Sequence, residues 1–208
     1  MIAAKIFSCA PLISLPGAVA LIAEAILLLA VYATAVMWPQ GRIAFVLRPQ
    51  FATRFGAVAG LLQIIHLLVE RFTSFPTPWD GRITLAFMLA TFLLWGFAGY
   101  HAAGAGFSFL PACLSAIWSA MVTMTIAVFA GTLLEFLIAP IPVESMRAWA
   151  EFQRSGWNDL YAFSIANTID EASNHLFIGP IVACIFGAIF FGFYRFFRKP
   201  NRLSQNLP

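Results

Sequence analysis

Four ionisable side chains stand inside or at the edges of long apolar runs: Glu24, His66, Glu135 and His175. Carboxylates and imidazoles hold protons, small cations and transition metals. In lipid each costs several kcal/mol unless it faces a cavity, a bundle interior or a partner. Two imidazoles with one or two carboxylates form a donor set for zinc or non-haem iron. His66 and His175 on different helices also fit an axial pair for haem. Glu24 with His66 is the acid–imidazole pair of a proton relay or a cation site.

Each of these residues also has a plainer reading. Glu135 lies far enough along its apolar run to stand in the headgroups. His175 follows Asp170 and Glu171 and fits an interface. His66, one turn from both Gln63 and Glu70, fits a helix-packing histidine satisfied by its neighbours. Glu24 is harder to dismiss. Starting its span after it leaves only 14 residues to Trp38, too few to cross a bilayer.

No sequence signature raises these groups to a named reaction. HExxH and histidine pairs four apart are absent, as are phosphate loops, dinucleotide fingerprints and serine nucleophile elbows. Cys9, Cys113 and Cys184 are too few and too scattered for a disulfide framework or a zinc knuckle. Inside apolar stretches such cysteines act as small hydrophobes.

The elements that position these residues follow from composition. Of 208 residues 61% are hydrophobic and 10% charged, against roughly 25% charged in a soluble domain. Lipid must solvate most of the chain. Five runs reach membrane-spanning length: 17–38, 51–69, 83–103, 112–139 and 176–197. The rival reading of the first, a secretory signal with Lys5 as its basic start, fails because the apolar stretch exceeds the usual 7–15 residues. The second has an uncharged core of only 15 residues, and Arg54 and Arg71 must snorkel to opposite interfaces. Gly56 and Gly60 on the second span, and Gly179, Ala183 and Gly187 on the fifth, are four apart and let a neighbouring backbone approach closely.

The segment 140–175 carries Trp149, Trp157 and Tyr161 at helical spacings, broken at Ser155-Gly156. It reads as one or two interfacial helices, or equally as a lid on the bundle. Thr168 with Glu171 resembles a capping box, which places the start of the fifth helix near Ile169. Pro180 would then free the Leu176 carbonyl one turn below His175.

The expected fold is therefore all-α: one polytopic membrane domain over 1–208, about five transmembrane helices, and a basic tail at 198–208. Seven basic residues (Arg42, Arg48, Arg54, Arg195, Arg198, Lys199 and Arg202) fall on one side and five (Lys5, Arg71, Arg82, Arg147 and Arg154) on the other. The positive-inside rule then places the N-terminus outside and the C-terminus in the cytoplasm. That orientation brings Glu24, His66, Glu135 and His175 to the outer leaflet and leaves His101 at the inner end of the third span. Short loops and the absence of a glycosylation triplet fit a bacterial cytoplasmic membrane.

Three functions fit. The first by elimination is a non-enzymatic subunit or accessory component of a membrane complex, with no cofactor. The second is a small proton, ion or solute carrier using Glu24 and His66. The third is a redox protein holding haem or a divalent metal at His66 and His175. Partners are the bilayer and other membrane proteins or a second copy of the chain. The basic residues form no continuous stripe for nucleic acid.

Overall fold

The computed structural model of the chain describes Ala30, Tyr32 and residues 50–73, 79–138, 146–157 and 160–198. Only the backbone is described at 71, 132, 135–138, 146–150, 160–162, 164–166, 168, 169, 171 and 172. Five helices are formed: α1 Gln50–Phe72, α2 Trp79–Gly104, α3 Phe109–Ile138, α4 Met146–Ser155 and α5 Leu160–Phe197. Among the described residues there is no strand. Four segments are long and apolar enough to cross a membrane: Gln50–Glu70, Trp79–Gly104, Phe109–Gly131 and Ser173–Phe197. This is the architecture of an all-α polytopic membrane protein. The first expected span, 17–38, lies outside the described residues apart from Ala30 and Tyr32.

Helix boundaries follow local chemistry. α2 ends in a Schellman motif, with Phe107 N–H donating to the Ala102 carbonyl at 3.0 Å and Gly106 N–H to that of Ala103 at 3.1 Å. Gly106 takes φ +86°, which a side chain would strain. α4 stops where Gly156 adopts φ +73° and the Trp157 amide donates to Ser155 Oγ at 3.3 Å.

The capping-box expectation is corrected. α5 begins at Leu160 and passes through Thr168 without a break, because neither glycine nor proline interrupts 160–178. The interfacial segment expected over 140–175 therefore divides into α4 and the first part of α5. Phe163 of that part packs on Phe152 of α4 and on Trp157, with ring centroids 5.7 and 6.3 Å apart.

α1, α2, α3 and α5 alternate in direction. Positions 56, 60 and 67 of α1 meet Val122, Ile126 and Gly131 of α3, so these two helices run parallel. α2 and α5 are likewise parallel, with Phe92 against Phe186 and Gly96 against Phe190. α2 and α3 form the inner pair, each packed on both α1 and α5, which occupy opposite corners.

Small residues set the spacing. Ala112, Ala116 and Ala120 of α3 are fully buried along an i, i+4 row. A Cβ added to Gly187 would fall 2.7 Å from that of Ala116, and one added to Gly99 would fall 2.9 Å from the Gly187 Cα. α2, α3 and α5 thus meet backbone to backbone at Gly187. On the other side of α3, Ser115, Ser119 and Thr123 are fully buried, and Gly56 approaches the Ser119–Val122 turn. Lipid is as apolar as leucine, so such close approach, with its dispersion contacts and interhelical hydrogen bonds, holds a membrane bundle together. The large apolar side chains point outward, for example Phe177, Ile181, Ile185, Ile189 and Phe193 of α5.

Candidate functional site

The polar groups of the bundle line up along the α1–α2 seam. Gln63, His66 and Glu70 recur at three- and four-residue intervals and share one face of α1. Thr84, Phe87, Thr91 and Trp95 do the same on α2. Because the helices are antiparallel, Glu70 and His66 meet Thr84, and Gln63 meets Thr91.

The Glu70 end of the seam is a three-group cluster. His66 Nε2 lies 3.1 Å from Glu70 Oε1, and its side chain is 9% exposed. The Thr84 hydroxyl donates to the same carboxylate oxygen at 3.2 Å and sits 3.5 Å from Nε2. With Glu70 ionised, Nε2 is the ring nitrogen that donates to it, whether the ring is neutral or charged. Phe87 stacks on the imidazole with centroids 4.8 Å apart and fixes its plane. The Glu70 side chain is 45% exposed, so the cluster opens outward at the carboxylate and is closed behind the imidazole.

Deeper in, Gln63 Nε2 donates to Thr91 Oγ1 at 2.7 Å, with Thr91 almost fully buried. One turn further, Trp95 Nε1 donates to Thr123 Oγ1 of α3 at 3.0 Å. The Thr123 hydroxyl proton in turn reaches the Gly56 carbonyl at 3.0 Å and the Ser119 carbonyl at 2.9 Å. From Glu70 to Gly56 the seam extends about 21 Å along α1 at 1.5 Å per residue. The Ser119 hydroxyl, beside its inner end, is buried with no hydrogen-bond partner among the described residues.

The residues singled out from sequence fall as follows. His66 is buried, and its described carboxylate partner is Glu70 of its own helix. Glu24 lies outside the described residues. Glu135 is placed on α3 by its backbone, and its side chain is not described. His175 is exposed on α5, two residues after the start of the membrane-length segment.

Contacts between helices put His66 and His175 at similar depth. Gly179 meets Met124, and Leu67 approaches Gly131 seven residues further along α3. The same distance back along α5, about 10 Å, ends within a turn of His175. The two histidines nevertheless sit on helices at opposite corners, and His66 has its described polar contacts within the α1–α2 seam. Among the described residues no group of three or more His, Cys, Asp or Glu side chains is placed to hold a metal. His101 is exposed at the opposite end of the bundle, with its ring 5.2 Å from that of Phe55.

A second polar contact involves the first expected span. Pro180 has no N–H for the Leu176 carbonyl. The buried Tyr32 hydroxyl donates to that carbonyl at 2.9 Å. The polar corner expected near His175 is therefore closed by a tyrosine. At the α3–α5 contact Cys113 and Cys184 lie close together, since a Cβ added to Gly187, three residues after Cys184, would fall 3.4 Å from the Cys113 Cα.

Thr84, Thr91, Trp95 and Thr123 were not legible as site residues. Threonine and tryptophan barely interrupt an apolar run, although the 84, 87, 91, 95 spacing marks one face of α2. Compared with known protein families, with curated proteins and with solved structures, the chain matches none.

Proposed function

We propose that this chain is a non-enzymatic multi-pass protein of a bacterial cytoplasmic membrane that binds and passes a proton or small cation at the His66–Glu70–Thr84 cluster. One observation carries the reading. A nearly buried imidazole donates to a carboxylate oxygen that also accepts from the Thr84 hydroxyl, inside helices otherwise built from apolar and small residues. Intramembrane ionisable groups are expensive and mark ion or proton pathways by default. The part-exposed Glu70 gives the pair access from one side, and the Gln63–Thr91 bond continues the polar line inward. The excess of basic residues on the C-terminal side supports an N-terminus outside and a C-terminus inside, which would turn this cluster outward.

The test is flux in proteoliposomes. An external acid pulse, read by a trapped pH dye, should acidify vesicles holding the wild-type protein, and His66→Gln and Glu70→Gln should remove that response. A tracer sodium or potassium gradient at constant pH separates cation from proton movement. Thr84→Val, which keeps both ionisable groups, should lower the rate without abolishing it. Wild-type vesicles that pass neither protons nor cations would overturn the proposal. The other non-enzymatic reading, an accessory subunit of a membrane complex, would then stand first.

A further inference from the structure

We propose that the last turns of α5 bind the headgroup of an anionic phospholipid. Among the described side chains, carboxylates are confined to one end of the bundle. Arg54, His101, Arg195 and Arg198 are exposed where α1 and α3 begin and α2 and α5 end. The described carboxylates all belong to the other end: Glu70 closes α1, Asp80 opens α2, and Glu151 and Asp170 lie in α4 and the first part of α5. Among the described residues the basic end therefore holds no internal counter-charge.

The two arginines of α5 are held in place before any ligand arrives. The Arg195 guanidinium carbon sits 5.2 Å from the centre of the Phe191 ring, which packs edge-on against Phe109 of α3 at 5.5 Å. That of Arg198 sits 5.4 Å from the centre of the Tyr194 ring, and Arg198 Nη1 donates to the Tyr194 hydroxyl. Tyr194 is itself wedged against Tyr100 of α2 at 5.1 Å. Both guanidinium groups rest on rings fixed by neighbouring helices, so little side-chain freedom is lost when they grip a ligand. Arg195 and Arg198 are three residues apart, neighbours on the helix surface. Among the described residues neither guanidinium has a carboxylate partner, and two planar donor forks side by side match phosphate oxygens.

Apolar surface next to the arginines selects a lipid over a free anion. Phe193, Phe196 and Phe197 are 50, 70 and 77% exposed around them. A phosphodiester with acyl chains satisfies the guanidinium groups and covers these rings together, whereas inorganic phosphate does only the first. A basic patch at the end of membrane-spanning helices is also where anionic headgroups concentrate.

The full-length protein in neutral detergent should be titrated with phosphatidylglycerol and with phosphatidylcholine of the same chains, with bound lipid counted by native mass spectrometry. Wild type should prefer phosphatidylglycerol. Arg195→Gln/Arg198→Gln should weaken that lipid by about 25-fold, at about five-fold per arginine near a charged headgroup, and leave phosphatidylcholine unchanged. Both side chains are exposed, and an unchanged melting temperature verifies that the variant folds. Arg82→Gln is the control, because Arg82 also stacks on a ring, that of Trp79 at 5.1 Å, but at the acidic end. Equal loss in Arg82→Gln would overturn the proposal, as would undiminished phosphatidylglycerol binding by the double variant. Displacement of the lipid by millimolar inorganic phosphate would assign the site to a free anion instead.

Discussion

Replacing Gly56 by alanine adds one methyl group where α1 and α3 have no room for it. The new Cβ would fall 2.5 Å from the Ser119 carbonyl oxygen and 2.8 Å from the Val122 Cβ. Carbon atoms in ordinary contact stand about 3.5–4.0 Å apart, so the helices must separate by about 1 Å. The Ser119 oxygen belongs to the backbone and cannot turn aside. Separation also stretches the 3.0 Å bond from the Thr123 hydroxyl to the Gly56 carbonyl. Overpacking of this kind costs about 1–3 kcal/mol, and an interhelical bond in a membrane adds about 0.6 kcal/mol. Alanine recovers roughly 1 kcal/mol of helix propensity over glycine. The net loss is about 0.6–2.6 kcal/mol.

Gly192→Ala supplies the contrast. Nothing lies within 4 Å of a Cβ built there, so only the propensity gain remains. The same chemical change should lower the melting temperature in detergent at position 56 and leave it unchanged or raised at 192. At about 2–4 °C per kcal/mol for a chain of this size, the two variants should melt about 3–14 °C apart. Gly56→Ala melting at or above wild type, or Gly192→Ala falling as far, would refute the claim that backbone proximity sets the α1–α3 spacing.

Two further outcomes follow from the polar and thiol contacts. Tyr32→Phe should destabilise the protein by about 0.6–1.7 kcal/mol, the range for one interhelical bond in a membrane. The cost should shrink toward zero in Pro180→Ala, whose restored N–H serves the Leu176 carbonyl, so a thermal double-mutant cycle that finds equal costs in both backgrounds would sink the pairing. In a Cys9→Ser background, diamide should remove one hydrogen from each of Cys113 and Cys184 and join them. The product is read as a mass loss of two hydrogens that Cys184→Ser prevents, and free thiols after treatment would place α3 and α5 in a different register.

The four spans that lie in described residues were legible because lipid imposes a length and a composition that few other environments do. α1 is the instructive case. Its strictly uncharged core looks too short, yet the helix runs from Gln50 to Phe72, because Arg54 lies exposed near one end and Glu70 reaches out at the other. α5 was harder. A capping-box pattern at Thr168 is a local signal, and an uninterrupted helical run on both sides of it outweighs it. The site was legible by half. An imidazole inside a span draws notice in any sequence, and Glu70 one turn away was visible as a neighbour. The partners from α2 were not, since Thr84 and Thr91 become polar only when helix pairing turns them toward His66 and Gln63. Sequence separation also hid the Tyr32 bond to Leu176, 144 residues apart.

The length of α5 has a mechanical consequence. Its 38 residues make a rod of about 57 Å, against a hydrocarbon core of roughly 30 Å. α2 and α3 grip the part beyond Ser173 through glycine and alanine contacts, and Leu160 lies about 30 Å from Pro180 along the axis. A tilt of about 10° at that grip would swing the Leu160 tip by about 5 Å, the width of a helical turn. The helix is held among close-packed glycines on one side of Pro180 and reaches α4 on the other.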